Sequence, residues 1–147
     1  MLLKYLKPSS ITNDDDYIKV VYAYGDTTDA SVQTKTLNHF GVKAVFQRDF
    51  GWSDIDSQLT LGIPVPIGVL HKGHVSNPTG GGHWLIIIGR NEDNTKYVVN
   101  DPFGEMDLVN GGYISSNGKH LLYSKKNLGP RFMVEGPGTG WVIKAFK

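Results

Sequence analysis

Apolar positions follow two rhythms along this chain. Up to Gly62 they recur mostly at helical spacing; beyond it they gather into short runs rich in β-branched and aromatic residues. Leu2, Leu3 and Leu6 open the chain on a helical stretch stopped by Pro8. Asn13 then caps a helix whose first turn holds Asp14, Asp15 and Asp16, where acids suit the macrodipole. Tyr17, Ile18, Val21 and Tyr24 form its apolar face, and Gly25 ends it. Ala30, Val32, Leu37 and Phe40 predict the next helix, closed by Gly41. Val42 to Gln47 alternates as a strand does. Ser53 is placed to cap another helix, with Ile55, Leu59 and Leu61 inward and Gly62 at its end.

The second half reads as strands. In Ile63 to Leu70, Pro64 and Pro66 each lack a ladder donor, so an edge or a bend is expected there, with Ile67 to Leu70 as the paired part. Trp84 to Ile88, bounded by Gly89, predicts a buried central strand. A polar turn, Arg90 to Lys96, leads into Tyr97-Val98-Val99 as its antiparallel return, halted at Asn100, Asp101 and Pro102. Phe103 to Lys119 is rich in Gly, Asn and Ser and reads as loop with a small hairpin around Tyr113 and Ile114. Leu121 to Gly129 carries strand and helix signals alike. Arg131 to Val134 and Trp141 to Phe146, joined by a glycine-rich turn, predict a closing hairpin. Helices first and strands second give an α+β class, with N-terminal helices packed on a mainly antiparallel sheet. At this length a single domain over residues 1–147 is expected, long enough to bury roughly two-thirds of its unfolded surface.

Composition narrows the function. The net charge is +1 and the cations are scattered, which gives no footprint for nucleic acid and no stripe for a membrane surface. No apolar run approaches a membrane-spanning length. Cysteine is absent, so a disulfide, a Cys-ligated zinc and a thiol nucleophile are all excluded from these residues.

The candidate chemistry sits in the central hairpin. Gly80, Gly81 and Gly82 lead into His83 at the start of one strand, and Asp101 closes the other. Antiparallel pairing brings both to one end of the hairpin, within reach of an imidazole–carboxylate hydrogen bond. A carboxylate on one ring nitrogen fixes the tautomer and leaves the other nitrogen free as a base. The glycines, with Trp84 beside them, offer substrate a side-chain-free approach. Each residue also has a plain structural reading: His83 as a partly buried strand end, Asp101 as a turn former before Pro102.

The order of these features resembles the papain-like cysteine peptidases of the bacteriocin-processing, double-glycine-leader type. The resemblance rests on Leu59 to Val69, on Gly82 to Gly89 with its His83-Trp84 pair, and on Tyr97 to Gly104 with Asn100-Asp101-Pro102, and it covers about residues 1 to 104. It implies a papain-like fold and hydrolysis of peptide or cell-wall (peptidoglycan-like) amide bonds. His83 is then the general base, Asp101 the residue that orients it, and Gly81, Gly82 and Trp84 contact the substrate. No cofactor and no metal is implied. The family's nucleophilic Cys and oxyanion Gln fall before Met1, and Met1 to Leu6 is expected to be the tail of the helix that the Cys begins. Ser9 and Ser10 follow Pro8, at the wrong end of that helix to replace it.

Two other readings stay open. One is a nucleophile-free module on the same fold that holds a peptide in the cleft, lined by some of Trp52, Trp84, Tyr113 and Trp141. The other is a metal hydrolase using His71, His74 and His83, against which strand alternation points His71 and His74 to opposite faces.

Overall fold

In a computed structural model, which describes residues 1–147, three helices lead the chain: α1 Leu2–Leu6, α2 Asp14–Tyr24 and α3 Ala30–His39. The α2 start is as the acids predict. Asn13 accepts from the Asp16 N–H, and the Asp16 carboxylate accepts from the Asn13 and Thr12 N–H groups. Strand β1 (Ala44–Phe50), helix α4 (Trp52–Thr60) and strand β2 (Val65–Val69) follow. Helix α4 begins two residues earlier than a Ser53 cap implies, with Gly51 at the cap and Asp54 reaching back to accept from the Gly51 N–H.

The central hairpin is β3 (His83–Arg90) and β4 (Lys96–Asn100). Two short strands, β5 (Glu105–Met106) and β6 (Tyr113–Ser115), form a separate ribbon. Strand β7 (Leu121–Ser124), helix α5 (Lys125–Phe132) and strand β8 (Gly140–Ala145) complete the chain. The main sheet has six strands in the order β1-β8-β2-β3-β4-β7, and every pairing is antiparallel. This is the α+β arrangement expected, and it is consistent with a papain-like fold.

The two sheet faces bury separate clusters. One packs Ile55, Val65, Ile67, Leu85, Tyr97 and Leu128 under α4 and α5; the other packs Leu2, Leu3, Leu37, Ile86 and Ile143 under α1 and α3. Strand alternation explains the split, since Leu85 and Ile87 face one way and Ile86 the other.

Two expectations are corrected. Strand β2 as a whole lies inside the sheet, and its paired part is Val65–Val69 rather than Ile67 to Leu70, with Pro66 opposite Ile86. The proline is accommodated because β8 meets β2 only at Ile67 and Gly68, so at Pro66 the strand is paired on one side alone. Nor does Arg131 to Val134 form a hairpin with the last strand. Arg131 and Phe132 end α5, which Ser124 caps, and β8 pairs with β1 and β2 instead. Burial overrides the poor helix propensity of Gly129 and Pro130. Phe132 stacks on Trp52, and the Arg131 guanidinium donates to the carbonyls of Leu70, Lys72, Gly73 and Leu108.

Candidate active site

His83 begins β3 and Asp101 follows the last residue of β4. They are not direct cross-strand partners. The ladder sets Asn100 opposite Ile86, which leaves Asp101 diagonal to His83 and just beyond the paired residues. There the Asp101 N–H donates to the Gly118 carbonyl, which turns the carboxylate under the imidazole. The His83 Nε2 and Asp101 Oδ1 are 2.7 Å apart, with His83 only 6 % and Asp101 only 3 % exposed.

The carboxylate is held on both oxygens. Oδ1 also accepts from the Phe103 N–H at 3.0 Å, and Oδ2 accepts from the Tyr123 hydroxyl at 3.0 Å and the Tyr113 hydroxyl at 3.4 Å. Tyr123 in turn accepts from the Met106 N–H. Burial pushes both tyrosine hydroxyls far above their ordinary titration range, and the Asp101 charge adds to this, so they stay protonated donors. A buried carboxylate satisfied in this way has the acceptor capacity to bind an imidazole N–H.

That bond decides the imidazole's geometry. With Nε2 turned to Asp101, the Nδ1 atom of His83 has no protein partner and is open to solvent. In the neutral ring Nε2 then carries the proton and Nδ1 the lone pair. The ring is kept in place by stacking on Phe103 (centroids 4.4 Å apart) and on His71 (5.2 Å). His71 is held neutral to a lower pH than an ordinary histidine, chiefly by burial and then by the charges of His83 and Lys72.

A cleft of about 540 Å³ opens beside His83. Gly81, Gly82 and Trp84 line it, together with Arg48 from β1 and Trp141 from β8. A Cβ built on Gly81 or Gly82 would meet no atom within 4 Å, so the approach along this loop is open. Gly82 itself has φ +84°, a backbone conformation that L side chains rarely adopt. A second, smaller and mostly apolar cavity of about 240 Å³ lies between α1 and the sheet, walled by Met1, Leu2, Trp84 and Pro102.

The aromatic residues divide. Trp84 and Trp141 line the cleft, Tyr113 bonds Asp101, and Trp52 packs in the core against Tyr97 and Phe132. The three histidines do not converge: His71 stacks on His83, whereas exposed His74 bonds Ser76 through Nδ1. No group of three or more His, Cys, Asp or Glu side chains is arranged to hold a metal ion. No helix is long and apolar enough to cross a membrane.

Tyr123, Phe103 and the stacked position of His71 were not foreseen as parts of this site. Tyr123 comes from β7, which reaches Asp101 only through pairing with β4, and no local pattern reports that.

The Peptidase_C39 like family matches residues 4–116, which includes both His83 and Asp101. No curated protein matches the chain.

Proposed function

Because this chain belongs to the Peptidase_C39 like family, a group of peptidase-like hydrolases, we propose that His83 and Asp101 are the base half of a cysteine-peptidase centre. Its substrates are peptides or cell-wall amides, which lie in the cleft along Gly81, Gly82 and Trp84. The observation that carries this reading is the 2.7 Å bond from Asp101 to His83 Nε2, which leaves Nδ1 free on a ring that lines the cleft.

The chemistry follows from that nitrogen. A thiol within reach of Nδ1 gives up its proton, and the ion pair of thiolate and imidazolium lowers the cost of ionisation. The thiolate attacks the amide carbon, and the imidazolium returns the proton to the leaving amine. Water, deprotonated by the same Nδ1, then releases the acid from the acyl-enzyme. Asp101 stabilises the imidazolium and holds the ring against rotation throughout.

These 147 residues contain no cysteine and therefore do not complete the reaction alone. In this reading the thiol comes from outside these residues, and a second cavity walled by Met1, Leu2, Trp84 and Pro102 adjoins α1. Two measurements test the proposal. The 147-residue chain, assayed on unstructured peptides and cell-wall muropeptides, shows no hydrolysis; turnover lost in His83→Ala would mean that the nucleophile is another group of this chain. The coding DNA upstream of Met1 carries an in-frame segment with a Cys, and the longer protein cleaves amides about 100-fold or more faster than its His83→Ala variant. An in-frame stop codon directly upstream would sink the peptidase reading.

The second reading is a peptide-binding module without catalysis. It is favoured by the persistence of an open cleft on a chain with no thiol. Peptide titration separates it, since binding unchanged in His83→Ala and in Trp84→Ala argues against use of the cleft.

A further inference from the structure

Beyond His83 the sheet carries an aromatic shelf that the proposed chemistry does not use. Trp84 on β3, Phe46 on β1 and Trp141 on β8 meet edge to face, with Phe46 6.3 Å from Trp84 and 5.5 Å from Trp141 between ring centroids. Gly68 keeps the shelf low. It pairs with Trp84 on one side and Trp141 on the other, and even a Cβ there would lie 3.5 Å from the Trp84 ring. Trp141 is left 50 % exposed.

Arg48 lies on this shelf. Its guanidinium carbon stands 5.5 Å from the Phe46 ring centroid and 5.6 Å from that of Trp141. It takes part in none of the ion pairs of the protein. Cation–π contact with the two rings uses none of the guanidinium N–H donors, which stay available in a fork that matches a carboxylate. The acids along the cleft do not fill that role: Asp29 is spent capping α3 through Ser31, and Glu135 lies on the loop after α5.

We propose that Arg48 and the shelf of Trp84, Phe46 and Trp141 form a carboxylate-selecting subsite, which takes an acidic side chain of a peptide bound in the cleft. The sheet sets its position. His83 is on β3 and Arg48 on β1, three strands apart in the order β3-β2-β8-β1. At about 4.8 Å per step that is roughly 14 Å, or about four residues of extended peptide crossing the strands. The subsite rests on the reading of the cleft as a peptide groove.

Binding to the 147-residue chain tests it without any need for hydrolysis. The probes are acetylated and amidated Gly/Ser hexapeptides that carry Glu, Gln or Lys at one end position, followed by tryptophan fluorescence and calorimetry. The Glu peptide binds about five- to tenfold more tightly than the Gln peptide, and the Lys peptide binds most weakly. Arg48→Met keeps an apolar stem on the shelf; it abolishes the preference for Glu and leaves Gln-peptide affinity within about twofold. Equal affinity for Glu and Gln, or strongest binding of Lys, overturns the subsite while the groove stands. Failure of all three peptides to bind overturns the groove, and the subsite with it.

Discussion

The Tyr123 hydroxyl stands 3.0 Å from Asp101 Oδ2, the carboxylate oxygen that His83 does not use, and accepts from the Met106 N–H at 2.8 Å. One buried oxygen thus links β7, the β5–β6 ribbon and the acid of the candidate dyad. Tyr123→Phe removes that oxygen and leaves the Met106 N–H without an acceptor. A loss of about 1–3 kcal/mol is expected in chemical denaturation. Tyr113→Phe is the control: its bond to the same oxygen is 3.4 Å long and only part-buried, and its loss is expected to be smaller.

Asp101 itself should separate structure from tautomer. Asp101→Ala removes the acceptor for His83, Phe103, Tyr113 and Tyr123 together, and on the order of 3 kcal/mol of stability goes with it. Asp101→Asn keeps an amide oxygen on the Oδ1 side and so keeps both the bond from Nε2 and that from the Phe103 N–H. Nitrogen NMR of the ring reads the outcome. The Nε2–H tautomer of His83 is expected in the wild type and in Asp101→Asn, and a mixture of tautomers in Asp101→Ala. A wild-type ring protonated on Nδ1 instead would contradict the assignment of Nδ1 as the base.

Local signals carried much of this architecture. The α2 helix was legible because its cap, acid turn and closing glycine lie within a dozen residues, and the β3–β4 hairpin because its turn is short. The same short turn brought His83 and Asp101 to one end, although the diagonal offset was not visible in the pattern. What failed was non-local. Pro66 marks an open flank, which it has on the β8 side, but nothing near it reports that pairing with β3 already begins at Val65 or that β2 lies inside the sheet. Leu121 to Gly129 reads equally as strand or helix, and Arg131 to Val134 reads as a strand, whereas the burial of Arg131 and Phe132 extends a helix through them. Tyr123 reaches Asp101 from 22 residues away, through a strand pairing that periodicity does not encode.

His71 sets a pH dependence of opposite origin to that of a salt-bridged histidine. Burial, then the charges of His83 and Lys72, keep its folded pKa below the ordinary value of 6.5. The unfolded chain therefore binds the proton first as pH falls. The contribution is fully present above about pH 6.5 and is lost as pH drops below it toward the folded pKa. Its Nδ1 is also buried without a partner, so protonation there has no acceptor to reward it. His71→Phe keeps an aromatic ring beside His83, Phe103 and Tyr113 and removes the titrating group. Denaturation between pH 7 and pH 5 is expected to show a shallower fall in stability than in the wild type; an equal or steeper fall would place the titration elsewhere.

Gly118 offers a way to disturb the dyad without touching it. Its carbonyl accepts from the Asp101 N–H at 2.8 Å, and a Cβ built on it would overlap the Asp101 carbonyl oxygen and crowd the Gly104 Cα at 3.2 Å. These are backbone atoms, which cannot swing aside as a side chain does, so Gly118→Ala has to push the 115–118 loop away from the segment that carries Asp101. Overpacking against rigid atoms costs about 1–3 kcal/mol. The displacement also lengthens the backbone bond that aims the carboxylate. Gly118→Ala is therefore expected to lower stability by that amount and to blur the His83 tautomer toward the Asp101→Ala pattern. Gly112→Ala, where a Cβ would meet nothing within 4 Å, should leave the tautomer as it is, with only the strain of its positive φ of 76° to lower stability. Identical tautomer spectra in the two variants would show that Gly118 does not position the acid.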